Sequence, residues 1–392
     1  MIRTIQEIDL RQKTVLLRVD FNVPVEHGKV TEPHRIDSAL PTLRLILEKA
    51  NKVLLASHLG RPEGRVVPEY SLAPVRDYLE TVLKEPVVLA PDCVGSDVER
   101  LVRESSARVI MLENLRFHKE EEKNDPDFAR ALASLADVYV NDAFGAAHRA
   151  HASIAGVAPF FREKAAGLLL QKEIDYLGRV LSRPERPFVA ILGGAKVSDK
   201  IGVIKNLLSR VDTLLIGGAM AYTFLKARGI EIGASRVEND RLGLAADLLT
   251  EAAGAGIALL LPVDHVTADA RKEHPEVHGP GIPQDRIGLD IGPETIEKFA
   301  AEIRKARMVL WNGPLGMFET RPFDRGSAAI AKAVAESPSR PVSIIAGGDT
   351  VAAVTAAGLQ DRMTHLSTGG GATLEFLEGR TLPGIKALEE QA

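Results

Sequence analysis

The sequence predicts an α/β protein of two doubly wound parallel-sheet domains joined by a linking helix. Three observations lead there. Short apolar runs alternate with segments of helical length along the chain, the pattern of parallel strands connected through helices. The alternation occurs in two sets of similar length. Between the sets lies one amphipathic stretch that ends at a proline-rich break.

In the first half, the apolar runs suited to buried strands are Val15 to Val19, Val53 to Ala56, Val87 to Ala90, Val109 to Leu112 and Val138 to Val140. In the second they are Phe188 to Leu192, Thr213 to Ile216, Ala258 to Leu261, Met308 to Trp311, Val342 to Ala346 and His365 to Ser367. Helical segments are expected at Arg35 to Ala50, Asp125 to Ala136, Val197 to Leu208, Asn239 to Ala255 and Gly326 to Glu336. Leu170, Ile174, Leu177 and Leu181 recur at helical spacing, so a linking helix is predicted over 166–182. Pro184 and Pro187 then stop it. The halves, 1–165 and 183–370, each read as a Rossmann-like domain, with an active-site cleft expected between them. Glu120-Glu121-Glu122-Lys123 reads as a solvated surface run, and the Pro and Gly from Pro62 to Pro74 as an irregular surface loop.

A chain of 392 residues is too long for one ordinary domain and comfortable for two. With 45% hydrophobic and 26% charged residues it has the composition of a soluble globular protein. A net charge of -4 excludes a general nucleic-acid binder, whose phosphate contacts demand a basic surplus. The single cysteine, Cys93, excludes an intrachain disulfide and a Cys-rich zinc site, and is expected to be buried and inert. The first residues lack the apolar core of a signal peptide, and charges or Gly/Pro interrupt every apolar run. These features predict a soluble, cytoplasmic protein that engages no membrane.

The turns after the strands differ between the halves. In the first they carry Arg and His: Ser57-His58-Leu59-Gly60-Arg61, Asn114-Leu115-Arg116-Phe117-His118 and Ala147-His148-Arg149-Ala150-His151. Loops after parallel strands gather at one sheet edge, so these cations should converge. Guanidinium forks match phosphate or carboxylate oxygens two at a time. Asp20 and Asn22, two apart at a strand end, share a face and could accept from hydroxyls. Any one of these residues alone reads as a surface arginine or a satisfied histidine; their shared position after successive strands points to a pocket for a small polyanion. His148 and His151 have no third partner at metal-ligand spacing and are read as anion-binding or structural.

In the second half the turns are Gly-Gly pairs: Gly193-Gly194, Gly217-Gly218, Gly347-Gly348 and Gly369-Gly370. Bare backbone at a helix start suits phosphate. Lys196 and Lys200 are four apart and expected on one helical face, where an anion would relieve their repulsion. Asp349 offers a hard oxygen for magnesium, and Asp349 or Thr350 could instead, or also, cap a helix. Asn312 could meet phosphate and Glu319 a ribose. No P-loop, dinucleotide fingerprint or nucleophile elbow is present. A cationic cup and a glycine-lined cup together suggest phosphoryl transfer between two separately held substrates.

Taken in order, several segments resemble the signatures of the phosphoglycerate kinase family. They are Arg18-Val19-Asp20-Phe21-Asn22-Val23-Pro24, Ser57-His58-Leu59-Gly60-Arg61-Pro62, Glu113-Asn114-Leu115-Arg116-Phe117, Ala147-His148-Arg149-Ala150-His151, Gly193-Gly194-Ala195-Lys196-Val197, Trp311-Asn312-Gly313-Pro314 and Ser367-Thr368-Gly369-Gly370-Gly371-Ala372. The resemblance spans essentially the whole chain; Ala219 stands where the family usually has a third glycine.

The resemblance implies a monomer in glycolysis that passes the acyl phosphate of 1,3-bisphosphoglycerate to ADP, reversibly, giving 3-phosphoglycerate and ATP. It places Asp20, Phe21, Asn22, Arg35, His58, Leu59, Gly60, Arg61, Arg116 and Arg149 on the triose phosphate. It places Gly194, Ala195, Lys196, Lys200, Gly217, Gly218, Gly288, Leu289, Asn312, Pro314, Glu319, Gly347, Gly348, Asp349 and Thr350 on the nucleotide, with Mg2+ on Asp349. Arg35, Lys196 and Lys200 are implied as catalytic, direct in-line transfer following domain closure. The segment 371–392 is implied to return to the first domain and serve the hinge. Two rivals remain at this stage: a dehydrogenase with two Rossmann-like halves, which would bind NAD, and a non-catalytic protein closing on a phosphorylated sugar. Binding of NAD would reveal the first, and a coupled assay with ATP and 3-phosphoglycerate separates the second.

Overall fold

Each of the apolar runs forms a strand in the computed structural model, which describes residues 2–389. The chain divides into two units, Met1–Asp175 with Thr381–Ala392, and Tyr176–Arg380. In the first, β1 (Thr14–Arg18), β2 (Lys52–Ala56), β3 (Val87–Leu89), β4 (Val109–Met111), β5 (Val138–Asn141) and β6 (Lys164–Ala166) make one sheet in the order β3-β4-β2-β1-β5-β6. All its pairings are parallel. Residues Val53 to Leu55 of β2 are wholly buried, which explains an unbroken apolar run where a half-exposed strand would alternate. The chain leaves β1 toward β2 on one side and later reaches β5 on the other. The carboxyl ends of β1 and β5 therefore bound a switch-point crevice.

The second unit repeats this plan with an insertion. Its main sheet uses β7 (Phe188–Leu192), β8 (Thr213–Ile216) and β9 (Ala258–Leu260). A separate antiparallel sheet follows, made of β10 (His265–Ala268), β11 (Glu276–His278) and β12 (Ile287–Ile291) in the order β11-β10-β12. The main sheet then resumes with β13 (Met308–Asn312), β14 (Val342–Ala346) and β15 (His365–Leu366), in the order β9-β8-β7-β13-β14-β15. Here β7 and β13 bound the switch point. The antiparallel sheet and β6 were not among the sequence expectations. β6 is a lysine and two alanines, β11 is polar and largely exposed, and β10 and β12 interleave polar residues and glycine with apolar ones, so none carries an unbroken buried apolar run.

Most helices fall where periodicity places them, at His34–Lys49, Pro126–Ala133, Leu242–Gly254 and Arg325–Ala335. One does not: the helix expected from Val197 begins only at Ile201. The linking helix is Leu168–Ser182, and the division between the units falls inside it rather than at its ends. The helix Gly371–Leu377 belongs to the second unit; the chain rejoins the first from Thr381, where Gly384 N–H donates to Ala147 O at 2.8 Å.

The root of the linking helix is built on a buried acid. Asp142, just after β5, has no solvent exposure, and its Oδ1 accepts from Leu170 N–H at 3.0 Å. Gly167 is required there, since a Cβ would stand 2.2 Å from that oxygen. Burial pushes the Asp142 carboxyl up to about 7, against hydrogen bonds from Thr42 and the Leu170 and Leu169 amides. Among the described residues, no helix is long and apolar enough to cross a membrane.

Candidate active site: two half-sites at the strand ends

The first half-site is a chain of contacts along the carboxyl edge of the first sheet. Arg35 donates from Nη1 to Asp20 Oδ2 and to Asn22 O, both at 3.2 Å. Asn22 Oδ1 accepts from Gly60 N–H at 2.9 Å, and Gly60 O accepts from Arg116 Nη1 at 2.7 Å. Residues from the turns after the neighbouring strands β1, β2 and β4 are thus tied together. Gly60 has φ +62°, and a Cβ there would lie 2.3 Å from the Tyr70 ring, so this turn needs glycine.

Behind this edge sits a knot of positive charge. His58 is buried, and its Nδ1 lies 3.3 Å from Arg18 Nη2. Burial, then Arg18, Arg116, Arg149 and His151, hold the His58 imidazole well below its ordinary value, so it stays neutral. Burial and the same three arginines pull His151 down to about 3. Arg116 is drawn to about 10 by burial and by Arg149, with Glu122 opposing. Groups that depress one another in this way share one space, and an anion entering it would relieve them all. Arg149 Nε donates to His148 Nε2 at 3.3 Å, which orients its fork.

Sequence reasoning missed what holds this charge in place. Glu121, read as part of a solvated run, has no exposure. Its carboxylate accepts from Ser153 Oγ at 2.6 Å and Ser153 N–H at 2.9 Å, and lies 4.0 Å from Arg18 and 3.8 Å from His151. The short helix Lys119–Glu122 turns this one acid inward, while Glu122 stays half exposed and pairs with Arg116 Nε at 3.2 Å. Arg18 was the available signal: an arginine inside a buried apolar run demands a partner. Two expected residues take another part. Phe21 and Leu59 bury their side chains in the core, leaving only backbone for a ligand. Arg61 is exposed on the rim.

The second half-site is made of loops laced together through backbone. Gly193 N–H donates to Asn312 O and Gly194 N–H to Pro314 O, each at 3.0 Å; Gly218 N–H reaches Leu315 O at 3.1 Å. A Cβ at Gly193 would stand 2.2 Å from Pro314 O, and one at Gly218, with φ +65°, 2.6 Å from Gly194 N. Those glycines serve loop-to-loop contact as much as any phosphate. Lys200 Nζ donates to Asn312 Oδ1, and Asn312 Nδ2 to Ala346 O at 2.9 Å. Thr350 Oγ1 accepts from Gly313 N–H at 2.7 Å, bringing the first turn of the helix Gly348–Ala356 to the loop after β13.

Lys196 and Lys200 do not share a helix face. The carboxylate of Glu238 accepts from Val197 N–H at 2.6 Å, Ser198 N–H at 3.2 Å and Ser198 Oγ at 2.6 Å. This capture holds 197–200 as a separate turn; Lys196 is left exposed and Lys200 half-buried at the helix start. Burial lowers Lys200 to about 8, with Asp199 and Asp349 opposing. Ala195, Gly348 and Asp349 are exposed beside them. Gly347, with φ +90°, is the N-cap residue of helix Gly348–Ala356, and no side chain caps it, so Asp349 is not spent on that task. Gly217 packs on Leu315, and Gly288 on the Tyr222 ring, where a Cβ would meet the hydroxyl at 2.1 Å. Leu289 O accepts from Met317 N–H at 2.9 Å, and Glu319 is exposed on that loop. Asp290, also missed, holds the loop's far end by accepting from Gly326 N–H at 2.6 Å.

A guanidinium-lined pocket on one doubly wound sheet and a lysine with open glycine turns on another define a two-domain α/β phosphotransferase. Comparison with known proteins narrows the class. The family model described as phosphoglycerate kinase matches residues 5–380. A phosphoglycerate kinase of Anaeromyxobacter dehalogenans (strain 2CP-C) is 55% identical over 396 residues, covering 99% of this chain and all of the relative. One from Koribacter versatilis is 53% identical, with 98% of each chain covered. The solved phosphoglycerate kinase from Coxiella burnetii superposes with a TM-score of 0.88 at 41% identity, over 99% of each chain. That from Pyrococcus horikoshii gives 0.85 at 32% identity, over 99% and 98% of the two chains. The chain belongs to the phosphoglycerate kinase family and is a glycolytic kinase.

Proposed function

We propose that the first unit (1–175 with 381–389) holds 3-phosphoglycerate or 1,3-bisphosphoglycerate and the second holds ADP or ATP, each through the half-site described above. The observation that carries this is the cluster of Arg18, His58, Arg116, Arg149 and His151, in which the two histidines and Arg116 are shifted first by burial and then by their cationic neighbours. A small polyanion is the ligand that such a cluster stabilises most. Arg116 and Arg149 clamp the phosphate, Arg61 joins from the rim, and Asp20 and Asn22 orient the hydroxyl and carboxyl end. Neutral His58 donates or accepts without adding charge.

In the transfer, a terminal β-phosphate oxygen of ADP attacks the acyl phosphorus, and the phosphorus–oxygen bond to the acyl group breaks. The electron pair leaves on the carboxylate of 3-phosphoglycerate. A loose phosphoryl transition state asks for positioning and charge neutralisation, not a protein nucleophile. Arg35 and Lys200 supply that charge, one from each unit, so transfer requires the two bound substrates to be brought together. Lys196, the backbone turn at Gly194 and Ala195, and the amides of Gly347–Thr350 hold the nucleotide phosphates, and Glu319 its ribose.

Asp349 fits magnesium: a hard carboxylate, exposed, at a helix start and not engaged in capping. Among the described residues, no three-ligand cluster includes it, as suits an ion bound by one carboxylate and substrate phosphates. Bound there, magnesium would neutralise phosphate charge. The proposal also takes the protein to act as a monomer in the cytoplasm. A coupled assay with ATP and 3-phosphoglycerate tests the whole reading; turnover should be abolished by Lys200→Ala with the fold intact. Full turnover in that variant would refute the assignment of Lys200.

A further inference from the structure

The first unit carries a second set of donors, apart from the anion pocket. Asp92 and Cys93 follow β3, and His118 follows the turn Leu115–Phe117. One ligating atom from each lies within 4.8 Å of the other two. His118 Nε2 and Asp92 Oδ1 are 2.6 Å apart, and the same oxygen accepts from Cys93 N–H at 2.6 Å. The His118 ring packs against Phe128 with centroids 5.0 Å apart, which limits its rotation.

We propose that Asp92, Cys93 and His118 form a three-ligand site for a borderline-soft divalent cation of the zinc class, with a fourth position open to water. A thiolate, an imidazole and a carboxylate are the donor set of zinc and cobalt, not of magnesium. Donors sharing one tetrahedral zinc stand roughly 3 to 4 Å apart, so uptake parts the His118–Asp92 pair and draws the sulfur in through small side-chain rotations.

The Cys93 thiol donates from Sγ to the Glu113 carbonyl oxygen at 2.9 Å, a contact the cation would replace. Uptake replaces the S–H bond with a metal–sulfur bond and releases the proton to water, so affinity rises with pH. The sulfur is buried, whereas Asp92 and His118 side chains are 49% and 26% exposed, so the cation reaches the site past them. A chain with one cysteine cannot build a Cys-rich site; this one needs a single sulfur.

Co2+ titrated into the full chain in thiol-free buffer reports the site through sulfur-to-cobalt charge-transfer absorption. Cys93 is the only cysteine, so the signal has one source. The expected result is one equivalent bound, displaced by Zn2+, with the absorption lost in Cys93→Ser. Apparent affinity should fall by an order of magnitude or more in His118→Ala and in Asp92→Asn. Each variant's fold is checked by circular dichroism. Two outcomes overturn the proposal: no such absorption in the wild type at millimolar cobalt, or absorption that His118→Ala and Asp92→Asn leave unchanged, which would be a lone thiol scavenging metal.

Discussion

Burial pulls the Lys200 ammonium down to about 8, against the opposing fields of Asp199 and Asp349. Its charged form, the one proposed to pair with phosphate, is present below that pH and lost as pH rises through it. Affinity for ADP without metal should therefore weaken between about pH 7.5 and 9.5 in the wild type, whereas Lys200→Arg, charged throughout, should show a flatter profile. Calorimetry across that range checks it; equal slopes would detach Lys200 from the phosphates. Arg35 makes a different demand. It is a third exposed and, among the described residues, held by Asp20 and the Asn22 carbonyl, so the proposed role needs it to reach a migrating phosphoryl group from that anchored position. Arg35→Ala should lower kcat by about a hundredfold or more while ADP affinity stays unchanged. A kcat within about threefold of wild type would end its bridging role.

At the scale of elements, the linking helix begins on Asp142, whose carboxyl sits at about 7 because it is buried. A folded value raised above the unfolded one means the group's contribution is full below about pH 4 and lost as pH rises through 7. Asp142→Asn keeps an acceptor for Leu170 N–H and cannot ionise. Its amide N–H2, placed where Oδ2 has no partner, offsets part of the gain. The variant should be more stable by about 1 to 2 kcal/mol at pH 8, with the difference shrinking toward pH 4.5. Urea unfolding at both pH values decides; an equal difference at both would show that ionisation of Asp142 is not what the fold resists. The strands around this helix were legible because fully buried parallel strands leave unbroken apolar runs, as in Val53-Leu54-Leu55. The inward turn of Glu121 and the delayed helix at Ile201 were not, because each is decided by one distant partner, Ser153 or Glu238. Nothing in local composition announces a carboxylate that travels across the fold to take two amides. The antiparallel sheet β10–β12 escaped for the opposite reason: it has too little buried apolar surface to leave a pattern.

For the whole molecule, the two sheets carry chemically unlike linings, and each is complete within its own unit. Every hydrogen bond that ties Asp20, Asn22, Arg35, Gly60 and Arg116 together lies between residues of the first unit. Every bond that laces Gly193, Gly194, Gly218, Lys200, Asn312, Gly313 and Thr350 lies within the second. Substrate affinities should then be separable even though turnover is not. Arg149→Met should weaken 3-phosphoglycerate binding by at least about 2 kcal/mol, the scale of a lost charge-assisted contact, and leave ADP binding within about twofold. Asn312→Ala, which removes the acceptor of Lys200, should do the reverse. Both should cut turnover, because a phosphoryl group in flight needs the two linings at once. Binary titrations of each variant with each ligand, run beside the coupled assay, separate these effects. Equal loss of both affinities in Arg149→Met would mean that the two linings act as one site in the free protein, and the division of labour between the units would fall.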